Sequence, residues 1–303
     1  MGTTWTDLLD PDRADLERAA PVPLHPSAVE AMLAAPAEPG REPRPTLAAH
    51  TGYVFGILLV AVAVPDEDAV YYQEIDLALT RDALLTVRKT PQGREPFDPA
   101  GVKKAVGDSR EAAMVAYQLI DDVAESYLDL LDALNGEIDE LEDHVEEWPG
   151  EKVRNRLSAL RHDMLHIRRT LAPTRDAVRR VVDNRIDMEG GEELFTPPIE
   201  LHFADAYDKL LRASEALELC RDLVAGVRDY YQAMVAQEQN EVMKRLTAVA
   251  SVLLVPTFIV GLYGQNFHDM PELDWSFGYW WSWGLILVTT AVQIVYFRRK
   301  RWL

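Results

Sequence analysis

Apolar positions are spread thinly along most of the chain and become dense only near its end, where two runs are long enough to cross a bilayer. The first covers residues 246–263 and the second 277–297, and at ~1.5 Å rise per residue each makes about 30 Å of helix, the depth of a hydrocarbon core. Upstream the texture is mixed. Residues 1–108 combine short helical stretches with β-rich runs at Tyr53–Val64, Val70–Leu79 and Leu84–Val87, set apart by Pro-rich punctuation at 36–45 and 91–99. This pattern predicts an α/β domain.

Within the next segment, residues 109–198, the stretch from about 109 to 188 is nearly free of Gly and Pro. Asp121–Glu147 carries acidic residues without Lys or Arg, and Lys152–Arg185 then turns strongly basic, with Pro149-Gly150 between them. An antiparallel helical hairpin is expected from this spacing, its arms pairing through exposed charges worth ~0–1 kcal/mol each. A third helical stretch starts after Pro197-Pro198 and meets no proline until Pro256. One helix is therefore expected to run from a stalk at 199–245 into the first span, roughly 90 Å in all at ~1.5 Å per residue. A loop at 264–276 joins the spans, and a basic tail at 298–303 closes the chain.

Charge fixes the expected orientation. The loop holds Asp269, Glu272 and Asp274 but no Lys or Arg, whereas Lys244, Arg245 and the run Arg298, Arg299, Lys300 and Arg301 flank the spans. By the positive-inside bias both termini are cytoplasmic, in the inner (plasma) membrane, with the tail set to meet anionic lipid headgroups. Trp275, Tyr279, Trp280, Trp281 and Trp283 mark one end of the second span and Tyr296 and Trp302 the other.

The formal net charge of -19 repels phosphate backbones, so nucleic acid is not an expected partner, while cations gather around such a protein. With Cys220 as the single cysteine, no intrachain disulfide or Cys-pair motif exists. The soluble part shows no phosphate loop, nucleophile elbow or metal triad, which argues against an enzyme.

Two spans cannot enclose a water-filled path, so conduction requires several copies, each turning one helix to a common axis. Asn240, Met243, Leu246, Ala250, Leu254, Thr257 and Gly261 step by three or four, which keeps them on one face of the first span. Spacing alone fits a pore lining and a small-residue packing seam equally well. The residues just beyond the span favour a pore: Gly264 closes the helix, and Gln265 and Asn266 add amide oxygens at the water boundary. Rings of such oxygens suit a hydrated divalent cation, Mg2+ above all, because it sheds water reluctantly. Asp269, Glu272 and Asp274 would concentrate cations outside.

The segment Tyr263-Gly264-Gln265-Asn266-Phe267, with Met270-Pro271-Glu272-Leu273 after it and the basic terminal run, resembles the CorA family of divalent-cation channels. The likeness extends through Asn240-Glu241-Val242-Met243-Lys244 and, more loosely, to Trp5–Leu9 and Leu24-His25-Pro26. The resemblance implies a funnel-shaped α+β homopentamer with a cytoplasmic α/β domain, a long stalk helix that becomes the pore-lining span, and a peripheral second span. It further implies magnesium influx, with Co2+ or Ni2+ as other cargo, gated by intracellular divalent cation, and it makes Asp205 on the stalk the regulatory candidate. One position departs: Gln265 stands where the family signature is Gly-Met-Asn. A Zn2+ transporter of the same family, with or without proton coupling, is the alternative, and a non-conducting membrane-tethered cation sensor the second.

Overall fold

The computed structural model describes residues 4–64, 69–107, 111–186, 194–266 and 270–303. The chain divides into two compact units, residues 1–227 and 228–303.

The first unit is built on a five-stranded sheet in the order β1-β5-β4-β3-β2. β3 (Tyr53–Val64) and β4 (Ala69–Leu79) form a long antiparallel pair running from Val54 opposite Leu79 to Val64 opposite Ala69. Both are largely buried, which is why their sequences read as nearly continuous apolar runs. β5 (Ala83–Arg88) pairs antiparallel with β4, and β2 (Thr46–His50) lines β3 on the opposite edge. Gly56 permits a close approach there, since a Cβ would lie 2.7 Å from Leu47 Cδ2 and 3.0 Å from Leu77 Cγ.

β1 (Thr4–Leu9) adds to β5 in parallel. Neither β1 nor β2 stands out in the sequence pattern. Polar contacts hold β1: Arg88 grips both oxygens of Asp7 at 2.9 Å, Thr86 donates to Asp7 Oδ1 at 2.9 Å, and Trp5 Nε1 donates to Thr86 at 3.0 Å.

Helices α1 (Arg13–Ala19) and α2 (Pro26–Leu33) come after β1 and bury Leu16, Ala28 and Met32 against Tyr53, Phe55, Ala78, Leu85 and Val87 of the sheet. Asp12 caps α1 by accepting from Asp15 N, and His25 caps α2 ahead of Pro26 by accepting from Ser27 N. After α3 (Ala100–Val106) come two long helices, α4 (Ala112–His144) and α5 (Gly150–Val182), with Pro149 at the turn. Ala61 N of β3 donates to Ser126 Oγ of α4.

The hairpin departs from the expected pairing by exposed charges. Both helices bury apolar stripes, Ala112 to Leu141 on α4 and Val153 to Val181 on α5. The ion pair Arg156–Glu137, at 2.7 Å, is only 11% and 18% exposed. Apolar burial at roughly 25 cal/mol per Å² outweighs exposed charge pairs here.

α6 (Pro197–Tyr263) is a single helix of 67 residues. Its first part buries Phe203, Ala206, Leu210, Ala213, Leu217, Cys220, Val224 and Val227 in an alternating three-four spacing, the seam of a coiled-coil-like contact. Lys209 to Asp121 at 2.9 Å and Cys220 to Asn135 at 3.4 Å tie it to α4. This regular burial stops at Val227, and there the first unit ends, earlier than the span boundary read from hydropathy.

The second unit comprises the rest of α6, a 3-10 turn at Pro271–Asp274 and α7 (Gly278–Arg299). α6 and α7 are both long and apolar enough to cross a membrane. Leu253, Leu254, Phe258 and Val260 on α6 and Leu287, Val288 and Val292 on α7 are more than 60% exposed, an apolar surface of the kind that meets lipid or another chain.

Candidate functional site

Within the second unit, α7 meets α6 through Gln293 Nε2, which donates to the Ser251 carbonyl at 3.3 Å. The buried positions Ala248 and Ile259 fall on that side of α6. At ~100° per residue, Met243, Leu246, Ala250, Leu254, Thr257 and Gly261 lie on the face away from Ala248 and Ile259, with Asn240 at its edge, and all seven are exposed. The stripe thus turns away from the chain's own second span and is free to meet other copies or water.

The stripe's chemistry is set by its backbone. Thr257 Oγ1 donates to Leu253 O at 2.8 Å, so its outward capacity is as an acceptor, which suits a cation or its hydration shell. Pro256, one residue earlier, has no N–H and removes the usual donor for the Val252 carbonyl. Met243, Leu246 and Leu254 contribute bulk of the kind that can close a narrow pore by dewetting.

At its C-terminal end α6 stops at Tyr263. Gly264 N donates to Val260 O at 2.9 Å and Gln265 N to Leu262 O at 3.4 Å. A Cβ on Gly264 would sit 3.1 Å from Val260 O and 3.7 Å from Gly261 O, so the glycine serves close approach to the last turn. Gln265 and Asn266 come next, both exposed. Of the acidic loop residues, Glu272 and Asp274 lie in the 3-10 turn, half-buried and exposed respectively, while Asp269 lies outside the described residues. The turn packs tightly on the start of α7, since a Cβ on Gly278 would meet the Glu272 carbonyl oxygen at 2.3 Å. Trp275 stacks on Phe277 with ring centroids 5.1 Å apart, and at the other end of α7 Phe297 stacks on Trp302 at 5.7 Å.

Asp205 stands elsewhere, exposed on the first part of α6 beside Tyr117, Asp121, Asp208, Lys209 and Arg212. Lys209 already binds Asp121 and Glu125, each at 2.9 Å. Burial works against the Lys209 charge, but hydrogen bonds to Glu125 and Asp121 override it and raise the pKa. Tyr117 is pushed up by burial, then by Asp121, with a smaller push from Asp205. Among the described residues of a single chain, no group of three His, Cys, Asp or Glu side chains is arranged to hold a metal ion. One polar centre has no signal in the sequence pattern, the buried Glu74, Asp76 and Lys89 of the sheet.

A family model described as CorA-like Mg2+ transporter protein matches residues 1–299. The cobalt/magnesium transport protein CorA of Thermotoga maritima is 29% identical over an alignment covering 99% of this chain and 83% of the relative. Among solved structures, the CorA magnesium transporter of Methanocaldococcus jannaschii superposes with a TM-score of 0.74 at 20% identity, covering 99% of this chain and 91% of that one. The full-length CmaX protein matches with a TM-score of 0.69 at 20% identity, over 98% and 88%. At those identities the structural matches establish the fold, including the α/β domain, the long helix and the two spans.

Proposed function

The chain belongs to the CorA-like Mg2+ transporter family, and from that premise we propose that it is a passive Mg2+ channel assembled as a funnel-shaped homopentamer. The relative in Thermotoga maritima is named for cobalt and magnesium, which supports Mg2+ and Co2+ as cargo. In the proposed assembly Asn240, Met243, Leu246, Ala250, Leu254, Thr257 and Gly261 of each copy face the axis. Gly264, Gln265 and Asn266 receive the hydrated ion at the outer mouth, with Asp269, Glu272 and Asp274 raising its local concentration. Both termini lie in the cytoplasm, and the basic tail meets anionic headgroups. A membrane potential contributes about 2.3 kcal/mol per charge per 100 mV, roughly twice that for a divalent ion. Intracellular Mg2+ bound at Asp205, completed by ligands from a neighbouring copy, favours the closed state.

One observation carries this reading: the stripe of α6 from Asn240 to Gly261 is exposed, lies away from the buried Ala248 and Ile259, and leads directly to Gly264-Gln265-Asn266. The test is Mg2+ influx into proteoliposomes under an inside-negative potential, wild type beside Asn266→Ala. The expected result is potential-dependent flux that falls at least about tenfold in the variant, since loss of one amide from every copy removes several kcal/mol from a repeated ring. Equal flux in both would remove Asn266 from the ion path, and Zn2+ flux driven by a pH gradient would support the zinc alternative.

A further inference from the structure

Lys89 directly succeeds β5, and its backbone N–H pairs with the Glu74 carbonyl of β4. Its ammonium lies 2.5 Å from Glu74 Oε1 and 3.1 Å from Asp76 Oδ2, and it donates to the Ala31 carbonyl in the last turn of α2 at 2.7 Å. The three side chains are 4%, 8% and 0% exposed for Lys89, Glu74 and Asp76. Glu74 and Asp76 are two apart on one strand and so share a side of the pleat. Asp76 is paired across the sheet with Ile57 and Val87, so its strand neighbours are apolar.

Two carboxylates around one ammonium leave an uncompensated negative charge if both ionise. Asp76 is where that charge would fall. Glu74 takes the shorter contact with Lys89, whereas Asp76 meets the ammonium at 3.1 Å through Oδ2 alone and its Oδ1 is buried without a partner. A buried, unsolvated carboxylate of this kind is more stable neutralised by a proton than left charged.

We infer that the Glu74–Lys89–Asp76 cluster is a proton-binding site, which holds one proton on the Asp76 carboxyl in the folded chain and gives it up as the pH rises. With Asp76 neutral, Lys89 is committed to Glu74 and to Ala31, which anchors α2 on the sheet. Ionised Asp76 competes for the ammonium and weakens that anchor. Proton occupancy is thereby linked to how firmly α2 is held.

The surroundings agree. Burial pushes Asp76 up from 3.8 to about 7, against the opposing pull of Lys89 and with a further push from Glu74. On α2 the contact is a carbonyl, and Glu30 is exposed, as are Arg13, Asp15, Glu17 and Arg18 of α1. Glu74 and Lys89 also line a cavity of about 300 Å³ with Glu42, Arg94, Tyr71 and Tyr72. Tyr72 is pushed up by burial and stays neutral, and Arg94 lies over the Tyr71 ring at 5.2 Å.

The raised carboxyl binds its proton more tightly folded than unfolded, so its stabilisation is full below about pH 4 and is lost as pH rises through about 7. The test is thermal unfolding of the full-length chain in detergent, wild type beside Asp76→Asn, whose amide imitates the protonated acid. The two should match only below about pH 4, the variant's advantage should grow through the range up to about 7, and at about pH 8 it should melt several degrees above wild type. A variant less stable than wild type at the higher pH, or a difference that does not change with pH, would show an Asp76 that stays ionised and paired with Lys89, overturning the proposal. Infrared spectra of the wild type supply a check that needs no variant to fold: a neutral-carboxyl band that fades between about pH 5 and 8 supports the proton site, and its absence at the lower pH rejects it. Neither readout depends on transport, so this inference stands or falls apart from the channel reading.

Discussion

The two parts of α6 are one unbroken helix with opposite relations to the chain. From Phe203 to Val227 every third or fourth residue is buried against α4 and α5, and the polar residues face outward. Beyond Arg228 the large apolar side chains, such as Leu253, Leu254 and Phe258, are exposed, and only Ala248 and Ile259 are buried among the described residues. The first part obtains its order from packing within its own chain, whereas the second is long and apolar enough to cross a membrane and leaves most of its apolar side chains uncovered. Among the described residues, the stripe from Asn240 to Gly261 stays uncovered by its own chain.

Truncation should separate the parts most strongly. Phe203→Ala removes a fully buried ring from the seam and should lower stability by about 3–5 kcal/mol, measured by denaturation of the detergent-solubilised chain. Phe258→Ala, at an exposed position of the span, should change the same transition by roughly 0.5 kcal/mol or less. Equal effects would mean that the two parts do not differ as described.

A smaller effect sharpens the contrast between buried and exposed charge in the first unit. Arg156→Ala leaves Glu137 in a site with little solvent and should cost about 1–2 kcal/mol, seen as a Tm fall of several degrees. Arg13→Ala breaks a pair 68% and 64% exposed, and its loss should be hard to distinguish from zero in the same measurement.

Legibility in the sequence obeys the same division. β3, β4 and β5 are readable because strands buried on both faces are apolar over most of their length. β1 is not, because Trp5, Thr6 and Asp7 look like loop residues until Thr86 and Arg88 arrive from ~80 residues away. Glu74 and Asp76 read as solvent-side positions of a strand, and only the fold brings Lys89 and α2 over them. The charge segregation of α4 and α5 is plain in the sequence, but which pair is covered depends on packing, and so Arg156–Glu137 is not separable there from the exposed pairs. In the candidate site the three-four spacing of the α6 stripe is legible, but its direction is not. That direction needs the burial of Ala248 and Ile259.

The central claim is that this stripe faces water along a conduction path, and single cysteines test it most directly. Cys220 is the native cysteine and is buried, so replacing it by Ala gives a background free of thiols. Cysteines at Ala250, Leu254 and Thr257 would then be compared with cysteines at Val252 and Val255, which share the face of Ala248 and Ile259, in proteoliposomes conducting Mg2+ under an imposed potential. A charged, water-soluble thiol reagent should react at the three stripe positions and block flux, and leave the other two untouched. Reaction and block at Val252 and Val255 with none at the stripe would contradict the claim.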